Sequence, residues 1–327
     1  MEDAHLVLPS LREAVLSDYK LEVDIGWEQI GLFGVMDGHG GFQVAKFCER
    51  HLPKSIAQRP SADPASAMAQ SFVEMDELLQ EPEGLKELRR LSALAKSARA
   101  RRQTAEGMGC TVVLSCVTPS TLFVANAGDS RAVLCRGGLA LDLSQDHKPE
   151  LPGERARIES AGGWIEGGAV LRVNGDLSLS RAIGDLEYKL DRRLPPDRQI
   201  VTASPDVRAV PRQTQDEFLL LACDGVWDVL SSQAAVDFLR KELGNRSSWA
   251  SRLAAKQLRL SEVLGRLLDL CLSPDLRLTD GLGGDNMTAV LVLFLPMMVT
   301  AQSALAGCTR AVQVVGTRLV APLAVAS

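Results

Sequence analysis

Four short apolar runs stand out along the chain, and none of them shows the alternation expected of a half-exposed strand. They are rich in branched and aromatic residues, and the only charge in any of them is Glu217, at the start of the third. Uninterrupted runs of this length predict strands that are covered on both faces. The runs are residues 30–36, 109–117, 217–223 and 288–294.

Turn residues divide the stretch TVVLSCVTPSTLFVANAGDSRAVLCRGG (111–138) into three apolar segments. The first break is Thr-Pro-Ser and the second is Gly-Asp-Ser. Both tripeptides favour tight turns. The spacing therefore predicts an antiparallel meander of three consecutive strands.

Helical periodicity occupies the segments between these runs. One helix is predicted to start at Asp63-Pro64, because these residues suit the N-cap and the first helical position. A second follows Ser231-Ser232 and ends at Gly244, and a third covers residues 260–271. Helices between strand runs, with hairpins rather than regular βαβ units, indicate an α+β sandwich whose sheets carry helices on their outer faces.

Composition narrows the class of protein. With 46% hydrophobic residues the chain can bury a sizeable core, and 36 basic against 41 acidic residues give a net charge of −5. An acidic balance argues against a general nucleic-acid surface. The seven cysteines include no Cys-x-x-Cys pair, so neither a disulfide framework nor a zinc site is indicated. We expect reduced thiols, in a protein of the cytoplasm or nucleus.

The C-terminal region raises the question of a membrane span, because no charged residue occurs between Asn286 and Thr309. However, Pro296 ends the apolar run, and the polar residues Gln302 and Ser303 lower the hydrophobicity of the next segment. The pattern favours a buried final strand and a tail over residues 296–327, so membrane association is not expected.

A basic segment between Lys86 and Arg102 contains seven Lys or Arg residues. Its pattern predicts a helical surface exposed to solvent. The alternative is a docking site for an acidic partner.

Acidic residues recur where the buried strands end. Asp37-Gly38 ends the first run, Asp224-Gly225 ends the third, Asp285 directly precedes the fourth, and Asp129 occupies a turn of the meander. A single Asp-Gly pair is typical of a turn, but several at strand ends would crowd like charges together unless a cation neutralised them. Oxygen ligands without paired histidines or cysteines suit Mg²⁺ or Mn²⁺ rather than Zn²⁺.

Eight sequence blocks resemble, in order, the metal-dependent type 2C serine/threonine protein phosphatases. The blocks are MEDAH (1–5), FGVMDGHGG (33–41), GCTVVLSCV (109–117), VANAGDSRAVL (124–134), DHKPELPGERARIESAGGWI (146–165), RVNGDLSLSRAIGD (172–185), ACDGVWDVLSSQAAVDF (222–238) and GDNMTAVLV (284–292). They span nearly everything from Met1 to about Leu295. The resemblance therefore indicates a catalytic domain over residues 1–295, followed by a tail of uncertain structure over 296–327.

The resemblance implies a four-layer αββα sandwich, with two central antiparallel β-sheets flanked by helices and a site for two Mn²⁺ or Mg²⁺ ions at one end. The matching ligands of these ions are Glu2, Asp37, the Gly38 carbonyl, Asp224 and Asp285. Asp37 would bridge the two ions. Asp129 and Asp228 match acids of a further, weaker metal site, and His39 matches the proposed general acid.

The implied reaction is hydrolysis of phosphoserine and phosphothreonine in proteins by a metal-activated water, without a covalent intermediate. Two ions can screen the phosphate dianion and lower the pKa of a water, and an imidazole can protonate the leaving oxygen. Phosphorylated proteins are the implied partners, and a monomer is the default state. Arg181 is interpreted as support for its loop, and His51 and His147 as surface or packing residues.

Two features of the family pattern would precede Met1, namely the opening strand of the sheet and a phosphate-binding arginine. We therefore expect both to be missing and substrate binding or turnover to be weakened. The alternative function is a catalytically impaired pseudophosphatase that acts as a binding or regulatory module. A cysteine phosphatase is excluded, because the segment from Cys271 to Arg277 has no glycine and contains Pro274 and Asp275.

Overall fold

Two antiparallel β-sheets form the centre of the molecule, and helices cover both outer faces. The structure is a computed structural model that describes residues 1–17, 30–59, 63–93, 107–295 and 310–318. The strands are β1 (Ala4–Leu8), β2 (Gly31–His39), β3 (Gly109–Val117), β4 (Thr121–Ala127), β5 (Arg131–Arg136), β6 (Leu139–Asp142), β7 (Ile165–Gly167), β8 (Leu171–Val173), β9 (Ile183–Gly184), β10 (Asp206–Pro211), β11 (Asp216–Ala222), β12 (Met287–Leu295) and β13 (Arg310–Arg318).

The helices lie between groups of these strands. They are α1 (Leu11–Ser17), α2 (Gln43–Ala57), α3 (Pro64–Gln80), α4 (Pro82–Ala93), α5 (Pro152–Ser160), α6 (Asp224–Trp227), α7 (Ser232–Leu243), α8 (Trp249–Ala254) and α9 (Leu260–Cys271). Short 3-10 helices cover Leu186–Tyr188, Pro196–Arg198 and Arg246–Ser248.

The first sheet has the strand order β1-β2-β3-β4-β10, with β9 paired to β3. The second sheet has the order β13-β12-β11-β5-β6, and β7 and β8 form a separate two-stranded sheet. The four predicted core strands are confirmed as β2, β3, β11 and β12, and each is buried along nearly its whole length. Two lie in each sheet.

The buried strands direct alternate residues to two different cores. In β2, Phe33 and Val35 pack between the sheets, whereas Leu32 and Met36 pack under the helices of the first sheet. The second sheet follows the same rule, with Leu219 of β11 directed inward between the sheets. Uninterrupted hydrophobicity is therefore the expected pattern, because both faces of each strand are covered.

Helices form the two outer layers. Helices α2, α3 and α4 contribute buried residues to the core of the first sheet, among them Phe47 and Phe72. Helices α7 and α9 cover the second sheet, with Leu239 and Leu264 fully buried. This layering confirms the predicted four-layer sandwich.

The predicted helix boundaries are confirmed by their capping contacts. Asp63 accepts hydrogen bonds from the backbone N–H groups of the first turn of α3, and the Ser231 hydroxyl accepts one from Ala234 N–H at 3.2 Å. Gly244 follows α7 with a φ of 68°, a conformation that favours glycine.

The predicted three-stranded meander is wrong for its third strand. Strands β3 and β4 pair as expected, but β5 pairs with β11 and β6 in the second sheet. The turn contains Gly128 with a φ of 122°, a conformation open to glycine that lets the chain cross from one sheet to the other. Pattern alone did not separate a hairpin from such a crossing.

The C-terminal predictions have mixed outcomes. Strand β12 is buried throughout, as predicted, but it is not the final strand, because β13 pairs with it over Arg310–Arg318. Residues 296–309 and 319–327 of the predicted tail lie outside the described residues. In the part of the chain that is described, no helix is long and apolar enough to cross a membrane.

The basic segment is only partly described. Lys86, Arg89 and Arg90 are exposed on α4, as predicted for a surface in contact with solvent, whereas residues 94–102 lie outside the described ranges.

Candidate metal centre

Strand pairing brings the acidic strand ends together at one end of the sandwich. Strands β11 and β12 are antiparallel with Ala222 opposite Ala289, so Asp224, just after β11, lies close to Asp285, just before β12. In the first sheet, Ala4 lies opposite Met36, which places the segment before β1 beside the end of β2. The same pairing thus brings Glu2 near Asp37.

A cleft of about 480 Å³ opens at this end of the molecule. Its lining includes Glu2, Asp37, Gly38, His39, Thr111, Asp129, Arg172, Asp176, Asp185, Glu187, Asp224 and Asp285. All sequence-predicted site residues except Asp228 are therefore in one cleft. Asp228 is exposed and directly follows α6.

The charge distribution at Asp37 and Asp224 calls for a cation. Enclosure raises the pKa of Asp37 well above its usual range, and the charges of Asp224 and Asp3 raise it further. Enclosure also raises the pKa of Asp224 to about 7, and the charges of Asp129 and Asp285 add to the effect. Two carboxylates held this close disfavour each other's charged form unless a positive ion lies between them.

Unsatisfied ligand atoms fit the same conclusion. Asp224 Oδ1 is buried and has no hydrogen-bond partner among the described residues. Carboxylate oxygens of Asp37 and Asp224 and the sulfur of Cys223 lie within 4.8 Å of one another, a grouping that could hold a metal ion. Because burial and nearby carboxylates raise the pKa of the Cys223 thiol well above its usual range, the oxygens are the better ligands for Mg²⁺ or Mn²⁺.

Asp3 belongs to this cluster, although sequence reasoning missed it. It is 5% exposed, and its Oδ2 accepts a hydrogen bond of 2.6 Å from the hydroxyl of Thr288 in β12. Burial raises its pKa, and the charge of Asp285 adds to the rise. Its place beside Glu2 in the MEDAH block was the available signal.

His39 lies at the end of β2 and is paired with Asp185. The distance between His39 Nε2 and Asp185 Oδ2 is 2.7 Å. Burial by itself would lower the pKa of His39, but the adjacent Asp185 carboxylate reverses this, and the pKa is raised. Sequence reasoning missed Asp185, which ends the RVNGDLSLSRAIGD block.

Asp129 lines the same cleft as Asp37 and is paired with a lysine. It is 2% exposed, and its Oδ2 accepts a hydrogen bond of 2.6 Å from Lys148 Nζ. Although the Asp228 side chain is exposed, partial desolvation raises its pKa; the charge of Lys148 opposes this rise and the charge of Asp129 adds to it. Asp129 and Asp228 are therefore near each other and share Lys148 as a counter-charge.

Arg181 does not line the cleft. Its guanidinium donates to Glu154 at 2.6 Å and to Asp206 at 2.8 Å, which joins its loop to α5 and β10. His147 is 2% exposed, and its Nε2 lies 3.2 Å from Asp206. These contacts agree with the structural roles predicted for both residues.

Comparison with known proteins assigns this arrangement to a family. A family model described as Protein phosphatase 2C matches residues 1–273. The chain belongs to the protein phosphatase 2C family. Membership in this family implies metal-dependent protein phosphatase activity.

Curated relatives in the protein phosphatase 2C family match nearly the whole chain. Probable protein phosphatase 2C 6 from Paramecium tetraurelia is 40% identical over 297 residues, which cover 90% of this chain and 88% of that protein. Probable protein phosphatase 2C 11 from Oryza sativa subsp. japonica is 39% identical, covering 90% of this chain and 81% of that protein.

A solved structure of a phosphatase from Toxoplasma gondii shares the fold. Its TM-score is 0.65 at 24% identity, and the match covers 96% of this chain and 92% of that chain. The predicted family, phosphatase class and α+β sandwich are thus confirmed.

Proposed function

We propose that this member of the protein phosphatase 2C family hydrolyses phosphoserine and phosphothreonine in proteins with the help of two Mn²⁺ or Mg²⁺ ions. The observation that carries the proposal is the crowding of Asp37 against Asp224, with the pKa of both carboxyls raised and one buried oxygen without a partner among the described residues.

The cleft residues divide into two ligand groups in this proposal. Glu2 and the Gly38 carbonyl would hold one ion, Asp224 and Asp285 the other, and Asp37 would contact both. Asp129 and Asp228 would be the ligands of a further, weaker ion, although the Lys148 ammonium already neutralises part of their negative charge. When bound, such ions neutralise the phosphate dianion and lower the pKa of the attacking water.

His39 supplies the proton for the leaving group. It lines the cleft beside the predicted ligands, and Asp185 holds its Nε2 at 2.7 Å. Serine and threonine leave as strongly basic alkoxides, so a positioned imidazole that donates a proton lowers the barrier to cleavage.

The hydroxyl of Thr111, in the cleft lining, and the thiol of Cys223, beside Asp224, are poorly suited as nucleophiles. The Thr111 hydroxyl lies 2.9 Å from the Ser130 hydroxyl, and both groups are buried. The Cys223 thiol has a pKa well above its usual range, which disfavours the reactive thiolate. These observations support direct attack by water, without a covalent intermediate.

The cysteines support a reducing compartment. The six cysteines within the described ranges are free and buried, as expected for a protein of the cytoplasm or nucleus. Phosphorylated proteins are the proposed partners there.

The test is hydrolysis of a phosphothreonine peptide by the purified chain with Mn²⁺ and with EDTA. We expect turnover that requires Mn²⁺, and its loss in Asp37→Ala and in Asp224→Ala. Glu83→Ala is the control, because its side chain is 82% exposed on α4 and is not part of the cleft lining. A folded wild-type chain that binds phosphopeptide without turning it over would overturn the proposal and favour the pseudophosphatase.

A further inference from the structure

The segment that carries Asp185 is held from behind by an ion pair with the outer helix layer. Asp76 of α3 accepts a hydrogen bond of 2.8 Å from Gly184 N–H through Oδ1. Its Oδ2 accepts one of 2.5 Å from Lys189 Nζ, and the same ammonium donates to the Ala182 carbonyl at 2.8 Å. The ion pair therefore holds the backbone just before Asp185 and also the Lys189 side chain, four residues after Asp185.

The backbone between these contacts has a conformation that needs support. Gly184 has a φ of 83°, and a Cβ there would lie 2.4 Å from the Met108 carbonyl oxygen. Asp185 follows with a φ of 48°, in the left-handed region that residues other than glycine rarely adopt. Such a conformation persists when surrounding contacts hold it, and the Asp76 carboxylate provides one of them directly.

Neither member of the ion pair contacts the substrate cleft. Asp76 and Lys189 are absent from its lining, and their side chains are only 13% and 8% exposed. A buried ion pair adds little net stability compared with apolar residues of similar size. The ion pair instead fixes the orientation of the backbone, because Asp76 binds the N–H group that follows Ile183 and Lys189 binds the carbonyl group that precedes it.

We propose that Asp76 and Lys189 form a positioning pair that fixes Asp185 and, through Asp185, the orientation of His39 as the general acid. This inference rests on the proposed phosphatase function. Asp185 faces Nε2 of His39, which leaves Nδ1 as the nitrogen that delivers a proton. As the oxygen of the attacking water bonds to phosphorus, the P–O bond to the serine or threonine oxygen breaks, its electron pair stays on that leaving oxygen, and the proton moves from Nδ1 to it.

The leaving group separates this role from general structural support. A threonine alkoxide needs the proton, whereas p-nitrophenolate is a stable anion and leaves without one. General acid catalysis contributes roughly 100-fold to 10,000-fold. A misoriented His39 should therefore slow hydrolysis of a phosphothreonine peptide far more than hydrolysis of p-nitrophenyl phosphate.

The experiment compares kcat and KM for these two substrates, with Mn²⁺, in wild type and Asp76→Asn. We expect kcat to fall about tenfold or more for the phosphopeptide and less than about threefold for the aryl phosphate, with KM of the peptide little changed. The double variant Asp76→Asn/Lys189→Gln restores a neutral hydrogen-bonded pair and should recover part of the loss. Asp191→Asn is the control, because this acid lies in the same loop and pairs with Arg193.

Three outcomes would overturn the inference. If kcat of Asp76→Asn falls equally with both substrates, the ion pair supports the fold in general and does not position His39. If kcat falls with neither substrate, the ion pair has no role in catalysis. If the wild-type chain hydrolyses neither substrate, the proposed phosphatase function is wrong, and the inference that rests on it is wrong as well. If circular dichroism shows that Asp76→Asn does not fold, the milder Lys189→Arg gives the same comparison.

Discussion

Gly38 illustrates how one residue sets the geometry of the proposed metal centre. A Cβ at this position would lie 2.4 Å from the Glu2 carbonyl oxygen. Gly38 also pairs with Cys110 in β3, so its backbone is held from the other side. Because backbone atoms lie on both sides, a larger residue cannot be accommodated by rotating a side chain. Only glycine lets the Glu2 segment approach the end of β2.

We expect Gly38→Ala to lower the free energy of unfolding by about 1–3 kcal/mol, as overpacking does in a tight interior. Displacing Glu2 by the new methyl group should also weaken Mn²⁺ binding about tenfold or more, which corresponds to about 1.4 kcal/mol. Urea unfolding and calorimetric titration with Mn²⁺ measure the two effects.

The matched control for this substitution is Gly153→Ala. A Cβ at Gly153 would meet nothing within 4 Å, so Mn²⁺ affinity should stay at the wild-type value. The free energy of unfolding should not fall, and it should rise by about 0.4–1 kcal/mol, because Gly153 lies in helix α5 and alanine favours a helix over the unfolded chain. Wild-type Mn²⁺ affinity in Gly38→Ala would contradict the importance of the close approach.

At the scale of elements, a buried network of charges ties α5 to the loop before β9. Glu154, 5% exposed, accepts hydrogen bonds from Arg157 in its own helix at 2.5 Å and from Arg181 in the loop at 2.6 Å. Burial by itself would raise the pKa of Glu154, but the two guanidinium groups lower it to about 2. The charged carboxylate therefore stabilises the folded protein.

The pH dependence of stability follows from this lowered pKa. The contribution is fully present above the ordinary pKa of 4.5 and is lost as pH falls towards about 2. The shift corresponds to about 3 kcal/mol. We expect Glu154→Gln to be less stable than wild type by about this amount at neutral pH, and the difference to shrink as pH is lowered below 4.5.

Urea unfolding at a series of pH values checks this. Glu159→Gln serves as the control, because Glu159 lies on the same helix, is 55% exposed and pairs only with Arg155 at 3.4 Å among the described residues. Exposed pairs of this kind contribute little. A stability difference for Glu154→Gln that stays constant through the acid range would contradict the assignment.

At the scale of the whole molecule, both sheets contribute acids to one end of the sandwich. Asp37 comes from the first sheet, whereas Asp224 and Asp285 flank strands of the second. Their mutual repulsion opposes packing of the two sheets at this end. A bound cation should therefore stabilise the fold as a whole as well as supply chemistry.

We expect Mn²⁺ to raise the free energy of unfolding by about 2.7 kcal/mol at a hundredfold excess over its dissociation constant. In EDTA, Asp224→Asn should be more stable than wild type by about 1–3 kcal/mol, because it removes a buried charge crowded by other carboxylates. The same variant should lose the stabilisation by Mn²⁺. Urea unfolding in Mn²⁺ and in EDTA measures both effects.

Asp237→Asn, an exposed acid on α7, is the control for charge removal. It should respond to Mn²⁺ as wild type does. The explanation fails if Asp224→Asn is less stable than wild type in EDTA and still responds to Mn²⁺.

The sequence alone predicted the core strands, the acids at their ends and the helix starts, because each of these features depends on residues that are adjacent in the chain. Core strands that are covered on both faces need uninterrupted apolar runs, and acids directly before or after such runs must lie at the ends of strands. Asp37, Asp224 and Asp285 could therefore be recognised without knowing which strands pair. Helix starts were predictable for the same reason, since Asp63 and Ser231 cap the helices that immediately follow them.

Tertiary structure decided everything that depends on partners distant in the chain. His39 and Asp185 are 146 residues apart, and Asp3 and Thr288 are 285 residues apart. Strand β5 belongs to the second sheet because it pairs with β11. The hydrogen bond from Gly184 N–H to Asp76 depends on how α3 packs. The local pattern determines whether a segment can form a strand or a helix. Long-range packing determines which charged groups are buried together, and burial is what makes their electrostatic interaction strong.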